Sequence, residues 1–165
     1  MGDFAFEISF ASEMEEGPLV SYQISSGAVD DFRLYYTGTG ITFETDQVGT
    51  FLSGPEYTDL FDGTRHTLGF TVDSSRGDWT VFVDGVAVDS GNDIGFENFQ
   101  FTGGGALVFG QEQDAPNGGF NAGQVFAGTI YDARFWDKTV SEEDLAPFVD
   151  QKITPNQPSL SLIHI

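Results

Sequence analysis

Hydrophobic and polar residues alternate along most of the chain with a period of two, and turn-forming residues separate the alternating runs. This alternation is typical of half-buried β-strands, because successive side chains of a strand point to opposite faces of a sheet. The runs are short and rich in aromatic and β-branched residues, which favour strands over helices. The pattern predicts strands over residues 4–10, 18–24, 32–36, 41–44, 66–73, 79–83, 86–88, 106–109 and 125–136.

Two further short segments predict a hairpin turn and a helix. Asp84-Gly85 separates two of the predicted strands, and this dipeptide favours the two-residue turn of a β-hairpin. Near the C-terminus, Ser141 is a predicted helix N-cap, with Asp144 three residues later and Pro147 beyond it. The sequence therefore predicts an all-β fold with one short helix near the C-terminus.

Composition agrees with one all-β domain and narrows the range of partners. The chain has 165 residues, of which 15% are aromatic, and it contains no cysteine, which excludes a disulfide framework. Six Lys and Arg against 26 Asp and Glu give a formal net charge of −20 at pH 7. Such a charge repels nucleic acid and anionic membranes, so we expect no nucleic-acid partner and no direct membrane insertion. It keeps a secreted protein soluble, and it also concentrates Ca²⁺ near the surface.

A loop rich in oxygen-bearing side chains separates the last two predicted strands. Glu112, Asp114, Asn121 and Gln124 offer carboxylate and amide oxygens. Ca²⁺ takes about six to eight oxygen ligands of these kinds, together with backbone carbonyls and water. Two adjacent glycines let the loop fold back, so that residues distant in sequence can converge. With no cysteine and no cluster of histidines to favour a softer metal, the loop indicates a calcium site.

The same segment resembles the pentraxin family. It opens with G-Q-E-Q-D at residues 110–114, and the following strand ends in the pair Trp136-Asp137, in the order and spacing of that family. The element W-T-V-F-V-D-G at residues 79–85 resembles a hairpin of the broader laminin-G-like group of concanavalin A-like domains. The resemblance implies a two-sheet antiparallel jelly-roll sandwich.

Several positions depart from the pentraxin pattern. Glu7 and Gly69 stand where the family has the two cysteines of an internal disulfide, and Val72 replaces a signature tryptophan. The turn between Thr37 and Ile41 is shorter than the hairpin that completes the choline pocket of the family, so specificity for phosphocholine does not carry over. These departures move the chain toward the broader laminin-G-like group.

The resemblance implies two calcium sites. The first would use two acidic residues before a strand, the opening of the loop and one backbone carbonyl, namely Asp30, Asp31, Glu112, the carbonyl of Gln113, and Asp114. The second would share Glu112 and Asp114 and add Asn121 and Gln124. Because the family has a carboxylate at the position of Asn121, we expect a firm first site and a weaker second one. Without the resemblance, the same acidic residues are more typical of turns and edge strands of an acidic protein than of a metal site.

Other candidate residues have packing as their simpler interpretation. Tyr36 occupies the position of a wall beside the bound ligand in the family, with sheet packing as the alternative. His66 heads a predicted strand and has no second His or acidic dyad at catalytic spacing, so we expect a structural role. Trp79 and Trp136 alternate with apolar neighbours, which favours packing over a sugar-binding platform.

Three classes of function fit these residues. The first is a non-catalytic, extracellular, calcium-dependent module that binds carbohydrate, or a phosphate- or carboxylate-bearing ligand, through the ion. The second is a structural spacer of a bacterial adhesin. The third is a polysaccharide-degrading jelly-roll enzyme, but Glu112 and Asp114 supply only two acids of an E-x-D-x-E pattern, and Pro116 and Asn117 stand where the third is needed. The first class is our prediction.

The chain ends bear on domain organisation. We expect residues 1–150 to form the domain and residues 151–165 to be a linker and tail. The last six residues, LSLIHI, match one reading frame of a common sequencing adapter, with a genuine closing strand as the alternative. The family has a strand before the position of Phe4 and another after the short helix, so we expect this chain to be part of a larger protein.

Overall fold

The computed structural model describes residues 2–25, 31–45 and 49–145, and these residues confirm the predicted all-β class. The strands are β1 (Phe4–Ser12), β2 (Gly17–Gln23), β3 (Phe32–Tyr36), β4 (Gly40–Thr45), β5 (Gly49–Ser53), β6 (Arg65–Asp73), β7 (Asp78–Val83), β8 (Val86–Asn92), β9 (Ala106–Phe109) and β10 (Gly128–Trp136). The helices are α1 (Pro55–Thr58) and α2 (Glu142–Leu145), and 3₁₀ turns cover Asp59–Phe61 and Ile94–Phe96. Two antiparallel five-stranded sheets, β10-β1-β6-β7-β8 and β5-β4-β3-β2-β9, lie at the centres of two compact units.

The first sheet is built around the buried strand β1. Phe4, Phe6, Ile8 and Phe10 are at most 1% exposed, and they share one face of the sheet because they are two residues apart. The opposite face carries a cluster of buried residues that includes one from α2, namely Ala5, Phe82, Trp136, Val140 and Leu145. Helix α2 therefore covers part of this second face.

A buried ion pair lies where the family resemblance implies a disulfide. Glu7 on β1 and Gly69 on β6 are direct cross-strand partners, so the two positions that match the cysteines do lie opposite each other. Glu7 Oε1 instead pairs with Arg134 Nη1 on β10 at 3.3 Å, and Arg134 Nη2 binds Asp132 at 2.7 Å. Both Glu7 and Arg134 are at most 3% exposed. Burial raises the pKa of Glu7 to about 7, although the neighbouring Arg134 opposes this rise.

The second sheet has one packed face and one partly exposed face. On β3, Phe32, Leu34 and Tyr36 are buried, whereas Arg33 and Tyr35 between them are only half-buried. Their cross-strand partners on β4 follow the same alternation, because residues directly opposite each other in a sheet share a face. Arg33 and Tyr35 therefore lie together on the partly exposed face.

Most predicted strands agree with the structure to within two residues at each end. The strand predicted at 125–136 begins only at Gly128, because the residues before it close the neck of the loop described below. Strand β8 runs four residues beyond its predicted end. The alternation pattern does not predict β5, an edge strand in which Leu52 alone is buried, nor the single turn of α1.

The predicted two-residue turn and helix N-cap are confirmed, since Val83 pairs with Val86 across Asp84-Gly85. The predicted end of the helix near Pro147 lies outside the described residues. Asp144 Oδ2 accepts a hydrogen bond from the Ser141 N–H at 3.0 Å, and Ser141 Oγ accepts one from the Asp144 N–H at 3.3 Å, which fixes the start of α2. The turn after β3 is tight, since the Thr37 N–H donates to the Gly40 carbonyl at 2.9 Å. The predicted tail at 151–165 lies outside the described residues. Among those described, no helix is long and apolar enough to cross a membrane.

Candidate functional site

The oxygen-rich loop leaves the end of β9 and is closed at its neck. Gly110 turns the chain with a φ of 72°, which glycine adopts without strain. Gln111 and Val125 form an isolated β-bridge, and the Phe126 N–H donates to the Gly110 carbonyl at 2.8 Å. Residues 112–124 therefore form a loop whose two ends are joined by backbone pairing.

The side chain of Gln113 anchors the start of this loop. It is fully buried, and its Nε2 donates to the Ala106 carbonyl at 2.8 Å and to the Ser21 carbonyl at 3.2 Å. Its Oε1 accepts from the Asn117 N–H at 2.8 Å. All polar atoms of the Gln113 side chain are thus engaged, and a metal could bind this residue only through its backbone carbonyl, as the resemblance implies.

Glu112 and Asp114 flank this anchor. The Glu112 residue is 5% exposed, but its carboxylate is not one of the fully buried and unpaired groups among the described residues. Burial raises the pKa of Glu112, the nearby negative charge of Asp114 raises it further, and Arg33 opposes both effects. Two carboxylates held close together repel each other, whereas a bound cation would remove the repulsion. The arrangement therefore fits a hard cation such as Ca²⁺.

A tight turn folds the loop back over Asp114. Ala115 and Gly118 exchange two backbone hydrogen bonds, at 2.8 and 3.2 Å, and Asn117 between them has a φ of 54°. Gly119 follows with a φ of 73°, and a Cβ atom at this position would lie 2.8 Å from the Cβ of Asp114. Only glycine fits so close an approach. Gly119 is therefore required both for its positive φ and for the small space beside Asp114.

The two residues predicted for the second calcium site are held by their backbones to the neck of the loop. Gln111 Nε2 donates to the carbonyl of Asn121 at 2.9 Å and to that of Gln124 at 2.7 Å. The Asn121 side-chain oxygen accepts from the Gly123 N–H at 2.9 Å. Both residues are therefore bound to the residue that immediately precedes Glu112.

The first predicted site is only partly described. Asp30 lies outside the described residues. Asp31 Oδ2 accepts a hydrogen bond from the Ile24 N–H at 2.6 Å. One of its two carboxylate oxygens therefore binds the residue that follows β2. Within the described ranges, no three Asp, Glu or His side chains form a group that could hold a metal. The full set implied by the resemblance, with its amide and carbonyl oxygens and Asp30, stays a prediction.

Tyr36 packs inside the second unit, whereas its neighbour Tyr35 does not. Tyr36 is 5% exposed and stacks on Phe61, with ring centroids 3.6 Å apart and 12° between the planes. Tyr35 lies on the other face with Arg33, whose Cζ is 5.3 Å from the Tyr35 ring centroid and whose guanidinium pairs with Glu44. The geometry accounts for packing by Tyr36, and its role beside a ligand stays a prediction.

The sequence contained the information that separates the two tyrosines. In F-R-L-Y-Y, the charged Arg33 marks the odd positions of β3 as the exposed face, and Tyr35 shares that parity. Glu112, Glu16 and burial all raise the pKa of the Tyr35 hydroxyl, with burial the largest cause. Tyr35 therefore lies on the partly exposed face and within electrostatic range of Glu112 in the acidic loop.

The remaining candidates have structural roles in the described residues. His66 Nδ1 lies 2.9 Å from Asp84 Oδ2, and Asp84 Oδ1 accepts from the Thr67 N–H at 2.8 Å, so Asp84 ties the hairpin turn to the start of β6. The sequence did not predict this pair, because strand register sets it. Trp79 stacks on Phe70 with centroids 6.0 Å apart. Trp136 is only 2% exposed.

Sequence comparison connects the chain with the pentraxins. A model described as "Pentaxin family" matches residues 10–157. The "Sushi, von Willebrand factor type A, EGF and pentraxin domain-containing protein 1" of Rattus norvegicus is 39% identical over 84 residues. That match covers 51% of this chain and 2% of the relative, so the chain spans a small part of that much longer protein.

Two solved structures share the fold. A native heptameric SAP-like pentraxin from Limulus polyphemus matches with a TM-score of 0.74 at 20% identity, over 88% of this chain and 68% of that one. The Ruminococcus gnavus IT-sialidase CBM40 bound to α2,3 sialyllactose matches with a TM-score of 0.67 at 18% identity, over 89% and 82%. At these identities the likeness shows the jelly-roll fold alone. Because the family model covers most of its length, the chain belongs to the pentaxin family.

Proposed function

We propose that this chain is a non-catalytic, calcium-dependent ligand-binding module of an extracellular protein. The observation that carries the proposal is the pair Glu112 and Asp114, which flank the buried anchor Gln113 and lie close enough that the charge of Asp114 raises the pKa of Glu112. Two carboxylates held together in this way repel each other unless a cation lies between them. The anchoring of Gln113 and the close approach at Gly119 keep them there.

The proposed ligands follow the family pattern. The first calcium is bound by Asp30, Asp31, Glu112, the Gln113 carbonyl and Asp114, and the weaker second one by Glu112, Asp114, Asn121 and Gln124. When bound, calcium supplies a positive charge with open coordination positions for oxygens of a carbohydrate, phosphate or carboxylate. This contribution matters because the net charge of −20 would otherwise repel an anionic ligand.

Tyr35 is the aromatic residue that we propose beside the ligand. It lies on the partly exposed face of the second sheet, and its pKa responds to the charge of Glu112. Two positions away, Arg33 also influences the pKa of Glu112. An aromatic ring next to an oxygen-binding cation can pack against the apolar face of a sugar or against the carbon chain of a phosphate ester.

Binding to an anionic polymer tests this proposal. We expect the chain to bind immobilised polygalacturonate or a phosphate-ester-coated surface in millimolar Ca²⁺ and to release it in EDTA, because the net charge of −20 otherwise repels an anion. Asp30→Asn combined with Asp31→Asn should abolish binding. Tyr35→Ala should weaken ligand binding while leaving calcium binding unchanged, and Tyr131→Ala, an exposed tyrosine of the other unit, is the matched control.

The alternatives predict different results in the same experiments. Binding that persists in EDTA would contradict the dependence on calcium. Failure to bind any ligand in a broad screen of glycans and phosphate esters, with calcium binding retained, would favour a spacer. Release of reducing sugar from a bound polysaccharide would indicate a jelly-roll hydrolase, for which Glu112 and Asp114 would be the first residues to substitute.

A further inference from the structure

One side chain at the neck of the acidic loop binds both of its flanks. The amide nitrogen of Gln111 carries two N–H groups, and it donates to the Asn121 carbonyl at 2.9 Å and to the Gln124 carbonyl at 2.7 Å. The backbone carbonyl of Gln111 in turn accepts from Ser21 Oγ at 2.9 Å, which ties the residue to β2. A single amide group thus fixes two points on the returning arm of the loop to the adjacent sheet.

These hydrogen bonds hold the returning arm itself, whereas backbone pairing holds only the neck of the loop. The bridge between Gln111 and Val125 joins only the ends of the loop. Exposed loop residues otherwise lose about 1–2 kcal/mol of backbone entropy each when they are ordered. Because the Asn121 and Gln124 carbonyls are held before any ion arrives, less of this entropy has to be lost when their side chains bind a metal.

We propose that Gln111 is a positioning residue that assembles Asn121 and Gln124 for the second calcium ion. The proposal rests on the calcium-binding function proposed above. It adds that one loop residue positions the ligands while others bind the ion. The Asn121 and Gln124 carbonyls accept from Gln111, and the Asn121 side-chain oxygen, which accepts from the Gly123 N–H, keeps a second lone pair that could bind a cation. Both hydrogen bonds of the Gln111 amide go to the returning arm, and neither goes to a described ligand of the first ion.

The outgoing arm of the loop has its own anchor. Gln113 is fully buried and holds this arm through the carbonyls of Ser21 and Ala106. Glu112 and Asp114 on either side of it are therefore positioned without help from the Gln111 side chain. Removal of the two hydrogen bonds from Gln111 should affect the second calcium site and spare the first.

Calcium titration of two isosteric variants of the full chain tests the proposal. Gln111→Met keeps the length of the side chain and removes both donors, and Gln111→Glu sets a carboxylate against two carbonyl oxygens. We expect titration with calcium chloride to show two binding events in the parent chain. In both variants the weaker event should lose affinity by about 10- to 100-fold, and the stronger event should be unchanged. Gln100→Met, the same substitution at an exposed glutamine of the other unit, is the matched control.

A second measurement reports on the metal-free protein. Phe120 is 49% exposed in the returning arm, so chymotrypsin can cleave there when the loop opens. In EDTA, Gln111→Met should be cut at Phe120 faster than the parent chain and Gln100→Met, with an unchanged melting temperature. Two unchanged binding events in Gln111→Met, or equal weakening of both events, would overturn the proposal. A parent chain that binds no calcium would overturn the proposed function itself, and the proposal with it.

Discussion

Glu112→Gln is expected to abolish calcium binding at both predicted sites, because Glu112 is shared by the two ligand sets. Glutamine keeps the shape of the side chain and one oxygen but loses the charge. Affinity in oxygen sites follows charge and ligand count. We expect the dissociation constant to rise by more than about 100-fold, equivalent to roughly 2.7 kcal/mol. Asp114→Asn should behave in the same way, and isothermal calorimetry measures both variants.

Without metal, Glu112→Gln should raise the free energy of unfolding rather than impair the protein. Partial burial and the charge of Asp114 raise the pKa of Glu112, so a neutral side chain should stabilise the metal-free protein in EDTA. Glu97→Gln removes an exposed charge from the other unit and serves as the control for net charge. If Glu112→Gln bound calcium as tightly as Glu97→Gln, the shared-ligand assignment would be wrong.

Arg134→Met is expected to lower the free energy of unfolding of the protein strongly. Arg134 is 2% exposed and pairs with Glu7 and Asp132. Removal of one partner of a buried ion pair costs about 3–5 kcal/mol, because the other charge is left buried. Denaturant unfolding at pH 8 should show this loss. At pH 5 the loss should be smaller, since Glu7 then takes up a proton in the folded state.

Glu7 itself should make stability depend on pH in an unusual direction. Its pKa is about 7 in the folded protein against an ordinary value of 4.5, so between these values the folded state binds more protons than the unfolded state. The contribution of Glu7 to stability is therefore complete below pH 4.5 and is lost as pH rises through 7, by roughly 3 kcal/mol. Glu7→Gln should remove this dependence, so its stability relative to the parent should rise between pH 4.5 and 8.

The comparison of Glu7→Gln with Glu97→Gln isolates this effect. Both substitutions remove one carboxylate, but Glu97 is exposed and should leave the pH profile of unfolding unchanged. Parallel profiles for the parent and Glu7→Gln across this window would contradict the raised pKa. They would also show that Arg134 holds Glu7 ionised throughout.

The strands were predictable where apolar and polar residues alternate in the sequence, and less so where few residues of the strand are apolar. Alternating burial in β3 and β4 reflects a sheet with one face more buried than the other, which the period-two pattern reports directly. Strand β5 buries only Leu52, so its five residues carry too little pattern to be recognised. The start of β10 was misplaced because Val125 is apolar but pairs with Gln111 at the neck of the loop.

The chemistry of the loop was predictable by residue type, and its geometry was not. Glu112, Asp114, Asn121 and Gln124 were chosen because their oxygens suit calcium, and the resemblance added the Gln113 carbonyl. The structure shows in addition that the Gln113 side chain is an anchor. Arg33 escaped notice because its proximity to Glu112 depends on how separate strands pair. Gln111 escaped notice for a related reason, since hydrogen bonds to residues 10 and 13 positions away form only when the loop closes.

The melting temperature of the full chain in EDTA and in millimolar Ca²⁺ tests the central claim most directly. A ligand that binds only the folded state stabilises it by about 2.7 kcal/mol when present at a hundredfold excess over its dissociation constant. For a domain of this size, that corresponds to a rise of roughly 5–10 °C. The calcium account predicts this rise in the parent chain and its absence in Glu112→Gln. Superimposable melting curves of the parent chain in EDTA and in Ca²⁺ would contradict it.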